Sequence, residues 1–176
     1  MLRARDLLIL LLAASSARAA TLDLTKAVVV APPALSVPEK KAIAVLVEEV
    51  EKRTQIRWPT TQSWPGGEVP VIVVGQAPAV PGISGRYQAE IVGDRGKGGN
   101  EGFRIRTWTG KGAPAVFVVG NDPRGVLFGV GRLLRELRMS EGKISLDDQF
   151  SVETAPKYPL RGHQLGYRPK TNSYDG

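Results

Sequence analysis

Apolar positions along the chain fall into short blocks with two different rhythms. The first block, Lys26 to Ala31, is β-branched at Val28-Val29-Val30 and is stopped by Pro32-Pro33, which predicts a short buried strand. Ser36-Val37-Pro38-Glu39 follows, with a capping serine, a proline suited to a first helical turn and a glutamate three residues on. Ile43, Leu46, Val47 and Val50 then recur at helical spacing while Glu48, Glu49, Glu51 and Lys52 face elsewhere, predicting a helix from about Val37 to Arg53.

Further strands are predicted at Pro70–Gly75, Tyr87–Val92, Glu101–Trp108 and Pro114–Gly120. In the Glu101–Trp108 segment Phe103 and Ile105 alternate with Arg104 and Arg106, the pattern of a strand with one wet face. Gly93 to Asn100 is glycine-rich and is predicted to join two strands as a flexible hairpin connection. Asn121-Asp122-Pro123 starts a second amphipathic helix, carried by Val126, Leu127, Val130, Leu133, Leu134 and Leu137 to about Arg138. Gly125, Gly129 and Gly131 lie along it, and close approach to the sheet would offset the roughly 1 kcal/mol each costs relative to Ala. Weak strands near Ile144–Leu146 and Phe150–Val152 complete the order. These elements predict an α+β fold, a single mixed β-sheet of about five to seven mostly hairpin-linked strands with two amphipathic helices on one face.

Composition trims the functional classes. The 176 residues contain no cysteine, which excludes disulfides, thiolate metal sites and a cysteine nucleophile. The net charge of +7 is concentrated at the ends, with Arg3, Arg5 and Arg18 against Asp6 before residue 21 and Lys157, Arg161, Arg168 and Lys170 against Asp175 after residue 155. The stretch between is nearly neutral, so no nucleic-acid partner is expected. Residues 1–20 have the form of an export signal: a basic start, the apolar run Leu7–Ala14 and the small-x-small site Ala17-Arg18-Ala19. The expected location is therefore periplasmic or extracellular, without a stable membrane anchor.

Candidate chemistry is sparse. The glycine-rich stretch lacks the spacing of a phosphate loop, and Gly125, Gly129 and Gly131 fall inside a helix instead of a dinucleotide turn. Asp147-Asp148 and the Glu48, Glu49, Glu51 group read as solvated surface and not as paired catalytic carboxylates. No catalytic residue, metal site or cofactor is expected within the chain. His163 is the single histidine. Beside Arg161 and Tyr167 it could line a sugar or anion site, or be only a polar residue on an unfinished strand. Trp58, Trp64 and Trp108 could stack on sugar rings, although plugging the end of the sheet is the favoured reading.

Two stretches carry a family likeness. Glu101-Gly102-Phe103-Arg104-Ile105 and Val116 through Leu137, with Asp122, Arg124, Gly125, Phe128 and Gly129 in the motif positions, resemble the N-terminal α+β domain of exo-acting glycoside hydrolases. These are the β-N-acetylhexosaminidases of glycoside hydrolase family 20 and the α-glucuronidases. Pro159-Leu160-Arg161-Gly162, with Leu165 following, resembles the first strand of the catalytic (β/α)8 barrel that comes next in such enzymes. The resemblance implies a signal at 1–20, an accessory domain at 21–155 and the start of an incomplete barrel at 156–176. It implies a non-catalytic domain of an exported glycoside hydrolase whose partners are its own downstream barrel and a glycan substrate. Arg161 matches an arginine that binds hydroxyls of the terminal sugar, and His163 and Tyr167 stand near it. Gly166 replaces an acidic residue of the hexosaminidase pattern, which implies a divergent relative. The alternative is a stand-alone extracytoplasmic carbohydrate-binding module.

Overall fold

The structure, a computed structural model, describes residues 20–158 apart from Arg95 and Lys97. Strand β1 (Thr21–Asp23) leads through a turn to β2 (Val28–Val30) and helix α1 (Val37–Thr54). A two-residue strand β3 (Thr60–Thr61) and β4 (Val71–Gln76) follow. Two 3-10 turns, Val80–Ile83 and Gly85–Tyr87, run into the short helix α2 (Gln88–Gly93). Then come β5 (Phe103–Trp108), β6 (Ala115–Gly120), α3 (Pro123–Glu136), β7 (Arg138–Ser140), β8 (Lys143–Asp147) and β9 (Ser151–Thr154).

The result is a mixed α+β fold whose main sheet has six strands in the order β3-β2-β4-β6-β5-β9. The pairs β2–β3, β2–β4 and β4–β6 are parallel, while β5 runs antiparallel to both β6 and β9. The expectation of mostly hairpin-linked strands is corrected here. In this sheet only β5 and β6 are joined as a hairpin, and the parallel pairs need crossovers, one of which is α1.

Both faces of the sheet are covered, which is why β4 and β6 read as unbroken apolar runs. Ile72 and Val74 of β4 and Val116 and Val118 of β6 point to the face carrying α1 and α3. Val71, Val73, Ala115, Phe117 and Val119 point to the opposite face. There the sequence reading of Tyr87–Val92 as a strand fails, because the segment is a 3-10 turn followed by α2. Tyr87 and Ile91, four residues apart, are both buried against the sheet, and that spacing is helical. The stretch from Asp94 to Gly102 is consequently a helix-to-strand connection, not a hairpin loop.

A further correction concerns sheet number. Strands β1, β8 and β7 form a separate antiparallel sheet of three strands. Leu22, Ile144 and Leu146 from it enter the same core as the inner faces of α1 and α3. The Gly142 amide of its hairpin donates to the Thr54 carbonyl at 2.9 Å, satisfying an end group of α1. At the other end of α1 the Glu39 carboxylate accepts from the Ser36 amide at 3.0 Å and from its hydroxyl at 2.5 Å.

Candidate functional site

Arg161, His163 and Tyr167, the residues singled out for sugar contact, lie outside the described residues. The three tryptophans lie within them. Trp58 is only 1% exposed in the core under α1 and α3, and its indole donates to the Leu24 carbonyl at 2.9 Å. Trp64 and Trp108 are partly buried on the opposite face, where they ring Tyr87 and Phe117. Trp108 and Phe117 meet edge to face with centroids 4.9 Å apart. Arg86 lies over the Trp64 ring and Lys111 over Tyr87, each just under 6 Å from the centroid, at 5.9 and 5.8 Å. The rings are packing residues, but they fill the cores on the two faces of the sheet and do not plug its end as expected.

The motif residues converge on one corner. Asp122 caps α3, accepting from the Gly125 amide at 2.8 Å, and its other oxygen accepts from the Glu101 amide at 2.5 Å. The Asn121 side chain donates to the Gly99 carbonyl at 2.8 Å, and the Asn121 amide to the Gly102 carbonyl at 2.9 Å. Arg124 pairs with the Glu101 carboxylate at 2.9 Å. Gly125 is obligatory, since a Cβ there would meet the Gly102 carbonyl oxygen at 2.2 Å. Gly129 lets α3 lie on Val118 and Phe103, where a Cβ would come to 2.8 Å of the valine. The expected close approach is present at these two positions but not at Gly131, which faces open space.

Glu101 has φ of +59° in the left-handed region, an uncommon state for a residue with a Cβ. It is held there by the acceptors and donors just named. Beside it the chain leaves β9, whose Thr154 is opposite Phe103 of β5. Asn100, Glu101, Pro156, Lys157 and Tyr158 line a hollow of about 310 Å³ at this exit.

The wet face expected for Arg104 and Arg106 is absent. Arg104 is 6% exposed and its Nε donates to the Asp94 carboxylate at 3.1 Å. Arg106 approaches the same carboxylate at 3.7 Å and pairs with Glu153 at 2.9 Å. The sequence alternation was right, but the connection carrying Asp94 covers the polar side. A carboxylate ten residues before Arg104, within a glycine-rich stretch, was the available signal.

Two carboxyl groups are held below their ordinary range. Asp23 is lowered first by the hydroxyl and then by the amide of Thr25, and Glu90 by its ion pair with Lys111. Asp23 ends β1 and Glu90 lies on α2, and each shift comes from pairing with a neighbouring side chain. Among the described residues no group of three or more His, Asp or Glu side chains could hold a metal ion, and no helix is long and apolar enough to cross a membrane.

No family model matches the sequence, and no curated protein matches it. Solved structures do match the fold. A family GH115 4-O-methyl-α-glucuronidase, BtGH115A, superposes with a TM-score of 0.54 at 15% identity, covering 77% of this chain and 18% of its own. The GH20 β-N-acetylhexosaminidase from Streptomyces coelicolor A3(2) gives 0.53 at 17% identity, covering 81% and 25%. CpGH84B gives 0.52 at 14% identity, covering 81% and 21%. The structural neighbours are thus glycoside hydrolases, and this chain spans between 18% and 25% of their length.

Proposed function

We infer that this chain is the N-terminal accessory domain of an exported glycoside hydrolase and does no bond cleavage itself. The observation that carries the reading is the shared fold. Three glycosidase families contain it over most of this chain, yet in each it accounts for a quarter or less of the protein. A unit so related to a longer enzyme serves as scaffold, and the chemistry belongs to the remainder. Fold alone does not carry activity across, but the motif residues add support. Asp122, Arg124, Gly125 and Gly129 build a helix-to-sheet corner and touch no cleft with catalytic pairing. The incomplete barrel from residue 156 and the leader at 1–20 belong to the same reading.

In this reading Arg161 seats the non-reducing sugar of the substrate, since a planar guanidinium at a strand end forks onto two hydroxyls. The test uses the longer protein encoded by the gene. Glycosides of N-acetylhexosamine and of glucuronic acid are offered to it and to its Arg161→Ala form. Hydrolysis of one of them, with kcat/KM lowered by at least about tenfold in the variant, is the expected result. Absence of any glycosidase activity would overturn the reading, and unchanged kinetics would overturn the role of Arg161. The rival, a carbohydrate-binding module, loses support from Trp58, whose ring has no exposed face.

A further inference from the structure

We propose that the open edge of β3, together with the groove between it and α1, docks an extended peptide segment of another protein that carries apolar side chains at alternate positions. The proposal is independent of the glycosidase reading. Among the described residues β3 is the last strand on its side of the main sheet. The Val29 amide donates to the Pro59 carbonyl at 2.9 Å and the Ala31 amide to the Thr61 carbonyl at 3.0 Å. Pro59 and Thr61 therefore turn their carbonyls to β2. Thr60, exposed between them, turns its own N–H and C=O outward, where a further strand would pair.

The groove beside this edge says what kind of strand fits. Two hollows of about 330 and 200 Å³ adjoin there and share Leu35, Ile43 and Thr60. Ala44 and Val47 add apolar lining to the first, and Pro32 and Pro33 to the second. The first lies toward Arg57 and the second toward Gln62, so they follow one another along β3. A strand added to the edge puts residues i and i+2 on one face about 7 Å apart, and so offers one side chain to each hollow. Among the described residues no aromatic ring lines either hollow, which leaves a sugar nothing to stack on. A second copy of β3 is the wrong occupant, because the residues that alternate onto this face are Thr60 and Trp58, the latter already buried in its own core. Charge narrows the choice further. Lys40 and Glu48 both line the first hollow, about 12 Å apart along α1, and a segment with an acid at the Lys40 end complements the pair. Arg57 is already paired with Glu51. Val37, 80% exposed and on the same side of α1 as Ala44, extends the apolar strip past Lys40.

The experiment pans a phage-displayed library of random peptides on the 176-residue chain and measures the enriched consensus as a synthetic peptide by calorimetry. The natural chain is compared with Thr60→Val, Thr60→Pro and Ala44→Gln. Thr60→Pro removes the outward N–H and leaves the carbonyls of residues 59 and 61 to hold β2, whereas Thr60→Val keeps the amide and the shape. The expected consensus has apolar residues two apart with an acidic residue beside them. Its affinity should stay within about twofold in Thr60→Val and fall at least about tenfold in Thr60→Pro and in Ala44→Gln, which fills the first hollow. Thermal melting checks that each variant folds, and if Thr60→Pro does not, Ala44→Gln on the half-buried side of a helix decides. No enrichment, a consensus without the alternation, or undiminished binding by the Gln form would overturn the site. Sedimentation showing self-association that Thr60→Pro abolishes would assign the edge to a second copy and would also overturn it.

Discussion

At the scale of single residues, the helix that leaves the Asp122 corner shows how one residue type does opposite things within two turns. Gly125, Gly129 and Gly131 all lower the intrinsic helicity of α3, and sequence inspection groups them. The structure separates them by what surrounds a missing Cβ. At Gly125 a methyl group would collide with the Gly102 carbonyl oxygen at 2.2 Å, a backbone atom with no room to withdraw. At Gly131 nothing lies within 4 Å. Gly125→Ala is therefore expected to destabilise by roughly 1–3 kcal/mol through displacement of the helix from β5. Gly131→Ala is expected to stabilise by about 0.5–1 kcal/mol through the restored propensity. Urea unfolding midpoints of the two variants at equal m-value check the pair, and a shift of the same sign in both would refute the packing account.

At the scale of elements, what the sequence disclosed depended on whether a segment's partner was local. Both long helices were legible because Ser36 with Glu39, and Asp122 with Pro123, write their starts into adjacent residues. The strands β4 and β6 were legible from their valine runs. The segment Tyr87–Val92 was not, since two apolar residues separated by four fit a short helix only once a sheet face exists to receive them. Arg104 was misjudged for the same reason, because its partner Asp94 arrives from the end of α2. This ion pair gives the element-level prediction. Asp94→Ala leaves the nearly buried Arg104 without its carboxylate and is expected to cost about 1–3 kcal/mol. Arg104→Met removes the charge together with the need for a partner and is expected to cost less. Thermal denaturation ranks the two, and a greater loss for Arg104→Met would show that the guanidinium contributes more than its desolvation takes.

For the molecule as a whole, the motif at Asp122 was readable in the sequence, but what it builds was not. Its residues assemble a corner only because β5, β6 and β9 bring Glu101, Asn121 and Pro156 to one end of the sheet. The same sheet divides the interior into two cores, one under α1 and α3 and one under α2 and the aromatic ring cluster. Alternate residues of β4 and β6 belong to each, so neither core can lose its packing without distorting strands that serve the other. That coupling predicts one cooperative transition, and the tryptophans are placed to test it. Trp58 reports on the first core, while Trp64 and Trp108 report on the second. Variants keeping either Trp58 alone or Trp64 and Trp108 alone, the others replaced by Phe, should each show a fluorescence midpoint coinciding with the circular dichroism midpoint of the same variant. A gap of more than about 5 °C between the two probes in either variant would mean that the faces unfold separately, as a gap of that size corresponds to about 1.5–2 kcal/mol in a domain of this length. The second face, covered among the described residues by α2, two 3-10 turns and the loop bearing Trp64, would then be the one to open first, because it is held by fewer of the described buried side chains than the face under the two long helices.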